Sequence, residues 1–168
     1  MGTWNNSDGL RVNFGISETT TILGGERAGE YRYDGPLHVT EFTIDGVDIP
    51  LADTMVSDTV SIPNGAHISH VEIYVVTAMD SAGEAATLDV GLIDQDMTTE
   101  LDYNGLIVAE TEANLATTGT LKEYFNATTE AGVLVGTTLT NTGIVTVGAN
   151  TELFTSGKII VRIYWFKP

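Results

Sequence analysis

Two histidines stand three positions apart, His67 and His70, in the run HISHVEIYVV. On a helix their rings would meet over a shared metal, whereas on a strand a spacing of three places them on opposite faces. The surrounding run alternates as a strand does. One surface ring and one partly buried, hydrogen-bonded ring are therefore expected, and no shared metal. His38 has no ligand pattern around it. The acidic run DQDMTTELDYNG (94–105) is the other cluster with metal-binding chemistry. Asp94, Asp96, Glu100, Asp102 and Asn104 offer hard oxygen ligands within a dozen positions, as a calcium loop does. The helix–loop–helix rule fails, because Thr99 stands where that loop needs Gly and Gly105 where it needs a bidentate Glu. The reading is a solvated acidic loop, with an irregular calcium site as the alternative.

Enzyme motifs are missing. Glu100-Leu101-Asp102 matches the start of an E-x-D-x-x-E pair of sugar-cleaving carboxylates, but Gly105 replaces the second carboxylate. The two tryptophans, Trp4 and Trp165, lie near the ends, so no ring-stacking cleft is indicated. No G-x-S-x-G elbow, P-loop, G-x-G-x-x-G or H-E-x-x-H occurs. The absence of Cys removes thiol nucleophiles, disulfides and Cys-based zinc sites. The sequence assigns no catalytic residue, no metal and no cofactor.

The elements that could position any site must come from 168 residues, enough for one domain. Apolar residues make up 42%, enough for a packed core. No apolar run reaches the length of a membrane-spanning helix. The formal charge of −16 argues against a nucleic-acid partner, which requires a positive footprint. Charge is also uneven. From Tyr33 to Leu121 there are 16 Asp and Glu and no Lys or Arg. Those carboxylates must face water, bind cations or meet a basic partner. The opening MGTWNNSDGL has neither a basic n-region nor an apolar h-region, and Asn6 breaks the myristoylation pattern. Synthesis in the cytosol is the expectation.

Residues 1–35 are polar and glycine-rich without a clear period, and read as an extended N-terminal arm. Trp4, Arg11, Phe14, Arg27 and Arg32 are its candidate contacts with neighbouring subunits. Residues 36–168 read as the folded domain. Strands are expected over 37–44, 54–62, 67–79, 85–93, 132–136, 143–148 and 158–166, separated by Gly, Asn and Asp turns. Asn64-Gly65 is the strongest turn signal. In 67–79, Val71, Ile73 and Val75 face one way; His70, Glu72, Tyr74 and Val76 face the other. In 85–93, Ala86, Leu88, Val90 and Leu92 point inward; Thr87 and Asp89 point outward. Residues 104–117 form the one helix candidate, with a loose pattern. The last run should pair in the middle of a sheet, since an exposed edge of that kind would aggregate. The expected fold is all-β: an antiparallel β-sandwich or jelly roll, with an extended arm and at most one short helix.

Three segments together carry a family resemblance: MGTWNNSDGLRVNFG, then ATLDVGLID with TELDYNGLIV, then AGVLVGTTLTNTGIVTVGA with GKIIVRIYWF. They resemble small virion structural proteins of tailed bacteriophages, of the head decoration (cement) type encoded beside the major capsid protein. The resemblance implies a β-sandwich or jelly roll on the outer surface of the shell, often trimeric. It implies the major capsid protein as partner, and neither nucleic acid nor membrane. The family brings no catalytic residue. A carbohydrate- or receptor-binding sandwich from a tail, neck or fibre is the alternative, and would place exposed rings in loops, where Tyr31, Tyr33 and Tyr103 are available.

Overall fold

A computed structural model describes residues 37–51, 55–126 and 128–168, together with the backbone of five short strands before residue 33. Side chains are described for 37–51, 60–126 and 128–168. Within the expected arm, β1 (Gly2–Asn5) pairs antiparallel with β2 (Arg11–Phe14), and β3 (Thr21–Ile22) with β4 (Glu26–Arg27). β5 (Gly29–Arg32) lies antiparallel beside β6 (His38–Asp45).

The rest follows from alternating β-branched runs, whose side chains pack best on a pleated, half-buried surface. The chain continues as β7 (Met55–Ile62), β8 (His67–Ser81), β9 (Thr87–Asp94) and β10 (Glu100–Thr111). One turn of helix, α1 (Glu112–Leu115), leads to β11 (Leu121–Tyr124), β12 (Gly143–Asn150) and β13 (Phe154–Phe166). Two sheets result, in the orders β10-β9-β12-β7 and β11-β8-β13-β6-β5. Each named pair is antiparallel. The molecule is an all-β sandwich, as expected. Its last strand lies between β8 and β6, in the middle of the larger sheet.

The inner faces meet as the alternation requires. Phe42, Ile44, Ile73, Val161 and Ile163 come from one sheet, Leu88, Val90, Leu92, Val145 and Val147 from the other; each is at most 1% exposed. Gly65 closes the 63–66 turn at φ +80°, a conformation that needs no Cβ.

The two outer faces differ. In β10, Asp102 pairs with Leu92 and Ile107 with Val90, so five residues on one strand span two on the other. The surplus folds back over the outer face of β9. It lies so close that a Cβ on Gly91 would meet the Tyr103 carbonyl carbon at 2.1 Å. Asp89, Ile93, Ile144 and Thr146, on the same outer face, are buried. Asp89, read as outward and therefore wet, is outward but only 3% exposed. The outer face of the five-stranded sheet carries no comparable cover from the described residues, and Tyr74 and Leu121 on it are 37% and 51% exposed.

Two other expectations are corrected. Residues 104–111 belong to β10, and the helix is confined to Glu112–Leu115. The open edge of β10 gains a second set of partners: Val108 N–H donates to the Glu130 carbonyl at 2.8 Å and Leu134 N–H to the Gly105 carbonyl at 2.8 Å. A helix would forfeit both. Residues 132–136 are turns rather than a strand. The connection from 125 to 142 bonds first to β10, then to the start of β8, where Ile68 N–H donates to the Thr137 carbonyl at 2.9 Å. It thereby links the edge strand β10 of one sheet to the start of β8 in the other.

Candidate interaction face

Register builds the open face row by row. Glu41, Arg162, Glu72 and Glu123 stand side by side on β6, β13, β8 and β11. Thr43, Ile160, Tyr74 and Leu121 form the next row. On the other side, Val39, Tyr164 and His70 are in register, and Phe125, just beyond β11, stacks on His70. A charged row is thus framed by two rows rich in apolar and aromatic side chains.

The charged row is knit on one side only. Arg162 Nε donates to Glu41 Oε2 at 2.7 Å, and Arg162 Nη1 lies 3.8 Å from Glu72 Oε2. The bond to Glu41 leads in raising the Arg162 pKa above its ordinary value. Tyr164 Oη donates to Glu72 Oε2 at 2.8 Å. Burial, followed by that bond, pushes the Tyr164 phenol up to about 12. His70 lies flat between two rings: its centroid is 4.2 Å from that of Tyr164 and 5.0 Å from that of Phe125. Its Nε2 stands 3.9 Å from Glu72 Oε1. Partly exposed pairs of this kind contribute about 0–1 kcal/mol each. They orient the face more than they stabilise the fold.

The histidine expectation is corrected here. In the pairing of β8 with β13, Tyr164 opposes His70 and Trp165 opposes Ile68, so Ser69 is an extra residue. That bulge shifts the alternation by one, and both His67 and His70 turn to the outer face. His67 packs its ring against Phe166 and approaches Thr138 Oγ1 at 3.0 Å. His38 stacks on Trp165, with ring centroids 4.3 Å apart.

The acidic hairpin 94–105 is tied to its own backbone. Asp96 Oδ1 accepts from the N–H groups of Thr98 at 2.8 Å and Thr99 at 2.7 Å, and Oδ2 accepts from the Thr99 hydroxyl at 2.7 Å. Those bonds, the hydroxyl first, lower the Asp96 carboxyl to about 2. Asp94 accepts from Asn141 Nδ2 at 2.5 Å, and Asp102 from the Asn104 N–H at 3.1 Å. Among the described residues no three His, Asp or Glu side chains are grouped for a metal.

Three acidic residues of the Lys- and Arg-free stretch do not face water. Asp89, Glu110 and Glu112 are at most 5% exposed. Neutral donors answer at least one oxygen of each: the Ala109 N–H at 2.5 Å and Asn150 Nδ2 for Asp89, Tyr124 Oη at 2.7 Å for Glu110 Oε2, whose Oε1 has no partner, and Ser81 Oγ for Glu112. Sequence reasoning allowed water, cations or a basic partner, and missed this fourth solution. Nothing local announces it, since each donor comes from another part of the chain. Burial, followed by the bond to Glu110, pushes the Tyr124 phenol far upward.

Of the residues expected to make contacts, Trp4 pairs in backbone with Val12, Arg11 with Asn5, Phe14 with Gly2, Arg27 with Thr21 and Arg32 with His38. Their side chains lie outside the described residues. The face above was not singled out in the sequence, because β11 was not recognised; the alternation of Leu121, Glu123 and Phe125 against Lys122 and Tyr124 was its signal.

The sandwich is similar in fold to a chain of the cyanophage Pam1 capsid asymmetric unit, with TM-score 0.54 and 18% identity over 91% of this chain and 100% of that one. It is also similar to a chain in the capsid of Ralstonia phage GP4, with TM-score 0.51 and 17% identity over 80% of this chain and 86% of that one. No family model and no curated protein matches the sequence.

Proposed function

We propose that this chain is a structural protein of a tailed-phage virion. In this reading it is a decoration (cement) protein that sits on the outer surface of the head, as a homo-oligomer and most simply a trimer, and binds the major capsid protein lattice. The observation that carries the reading is the fold likeness to chains of two phage capsid structures, one of them matched over its whole length. A likeness of that extent concerns the whole unit rather than a shared pair of sheets. The strand order adds support. β6 lies beside β13, β7 beside β12, β8 beside β11 and β9 beside β10, as if one long hairpin had been rolled into two sheets. We read this as a jelly roll, a double Greek-key fold common in capsid domains.

The net charge of −16 fits a place outside the shell, away from packaged DNA. The reading needs no catalytic residue and no cofactor. A carbohydrate- or receptor-binding module has weaker support among the described residues: Tyr103 is half-buried, and the more exposed rings, Tyr74 and Phe125, belong to the sheet face, while the side chains of Tyr31 and Tyr33 lie outside the described residues. The test is to mix the purified protein with heads that lack it and image them. Ordered density on the outer surface at lattice positions is expected. Protein that stays in solution, or density confined to the tail or neck, overturns the reading.

A further inference from the structure

We infer that the grid formed by β8 and β11 on the open face is the docking patch for a protein surface that presents an arginine between apolar side chains. The inference rests on the reading above in taking that surface to be the phage shell. The grid has three rows: Tyr74 beside Leu121, Glu72 beside Glu123, and His70 beside Phe125.

Its middle row is electrostatically incomplete. Like charges directly opposite on adjacent strands destabilise a sheet. Glu72 is answered by Arg162 and Tyr164, but no described side chain answers Glu123. Among the described residues no cation is placed to do so: Arg162 is bonded to Glu41 and Lys158 lies beside Asp45. From Tyr33 to Leu121 the chain has no Lys or Arg, and Lys122 opposes the inward Ile73, on the other side of the strand. A cation from a second molecule would complete the row.

The flanking rows specify its kind. Phe125 is 45% exposed and follows Glu123 by two positions. A guanidinium can lie flat on such a ring while it donates two parallel bonds to the carboxylate, a combination open to arginine but not to lysine. Leu121 and Tyr74 extend apolar surface on the opposite flank. Aromatic side chains around a desolvated charge are the usual anchors of a protein interface. The carboxylates oppose a nucleic acid or an anionic membrane. Addition of a further strand is opposed by the edge itself, since β11 has four residues and carries Lys122 at its rim. The partner therefore lies across the face rather than beside it.

The test uses full-length protein and heads that lack it, with bound protein measured against concentration for wild type, Glu123→Lys, Phe125→Ser and Glu84→Lys. Glu84 is exposed in the turn before β9, outside the patch, and its substitution makes the same charge change as Glu123→Lys. Thermal melts confirm that each variant folds. The expected result is a loss of about tenfold or more for Glu123→Lys and about fivefold for Phe125→Ser, with Glu84→Lys within about twofold of wild type. Wild-type binding with all variants equal to it overturns the patch and leaves the decoration reading standing. Equal losses for the two Glu→Lys variants overturn the patch in favour of overall charge. Failure of wild type itself to bind heads removes the decoration reading and the patch together.

Discussion

At the scale of single residues, position in the alternation sets the cost of a substitution. Ile73 and Ile163 are fully buried, and oppose Val161 and Val71 across the β8–β13 ladder. Truncation of either to Ala is expected to cost about 2–5 kcal/mol by urea denaturation. Thr87 is half-buried on the other side of its strand, and Thr87→Ala should stay within about 1 kcal/mol. Equal costs at the three sites would mean that the faces are wrongly assigned. Asp96 gives a pH-dependent prediction. Its carboxyl falls from the ordinary 3.8 to about 2 because the folded hairpin bonds its charged form. A depressed folded value stabilises above the unfolded value, and that stabilisation is lost as pH falls through the folded one. The difference in melting temperature between wild type and Asp96→Ala should be constant above about pH 5 and shrink between pH 3.8 and pH 2. A difference that does not change with pH would count against the bonding described.

At the scale of elements, the irregular pairing of β10 with β9 does the most to shape the molecule. Its surplus residues lie over the outside of the four-stranded sheet, and among the described residues the five-stranded sheet has no comparable cover. This arrangement depends on the missing side chain at Gly91, where a Cβ would lie 2.1 to 2.2 Å from the Asp102 and Tyr103 backbone. Backbone cannot yield as a flexible side chain can. Gly91→Ala should therefore reach or exceed the upper end of the about 1–3 kcal/mol typical of overpacking. Amide exchange should accelerate over 100–107 in that variant. Exchange that speeds up uniformly along the chain instead would place the strain elsewhere. The bulge at Ser69 works on the same scale. One inserted residue brings both histidines of the pair to the outer face and sets His70 between Tyr164 and Phe125.

For the whole molecule, charge and topology govern. A chain of net charge −16 repels its copies, so self-association must come from local contacts working against the overall field. Raising salt from low to physiological levels shortens the Debye length to ~8 Å and should strengthen self-association, read by light scattering. A monomer at every salt concentration would remove support for the oligomeric reading. Topology bears on folding rate. The first and last strands of the rolled hairpin, β6 and β13, pair across more than a hundred residues, and such non-local pairing places refolding on the scale of about milliseconds to seconds.

By itself, the sequence determined the fold class and most of the core. Alternation of β-branched residues is a local property, and it marked β6, β8, β9, β12 and β13, the inward Ile73 and Ile163, and the central place of the last strand. It could not determine where alternation breaks, because a bulge belongs to two strands and exists only once their register is set. That is why His67 and His70 were assigned to opposite faces. The sequence also misleads over 104–117, where a helix is expected: Leu106 and Ile107 are adjacent and both buried in β10, along which the connection at 130–134 bonds. The buried carboxylates had the same cause. Asp89 reads as a surface residue in its strand, and becomes an interior one only when Asn150, 61 positions away, and the Ala109 amide reach it. The pairing of Glu72 with Glu123, and hence the grid on the open face, likewise came from tertiary structure alone. The two lie 51 positions apart, and only the placement of β11 beside β8 brings them together.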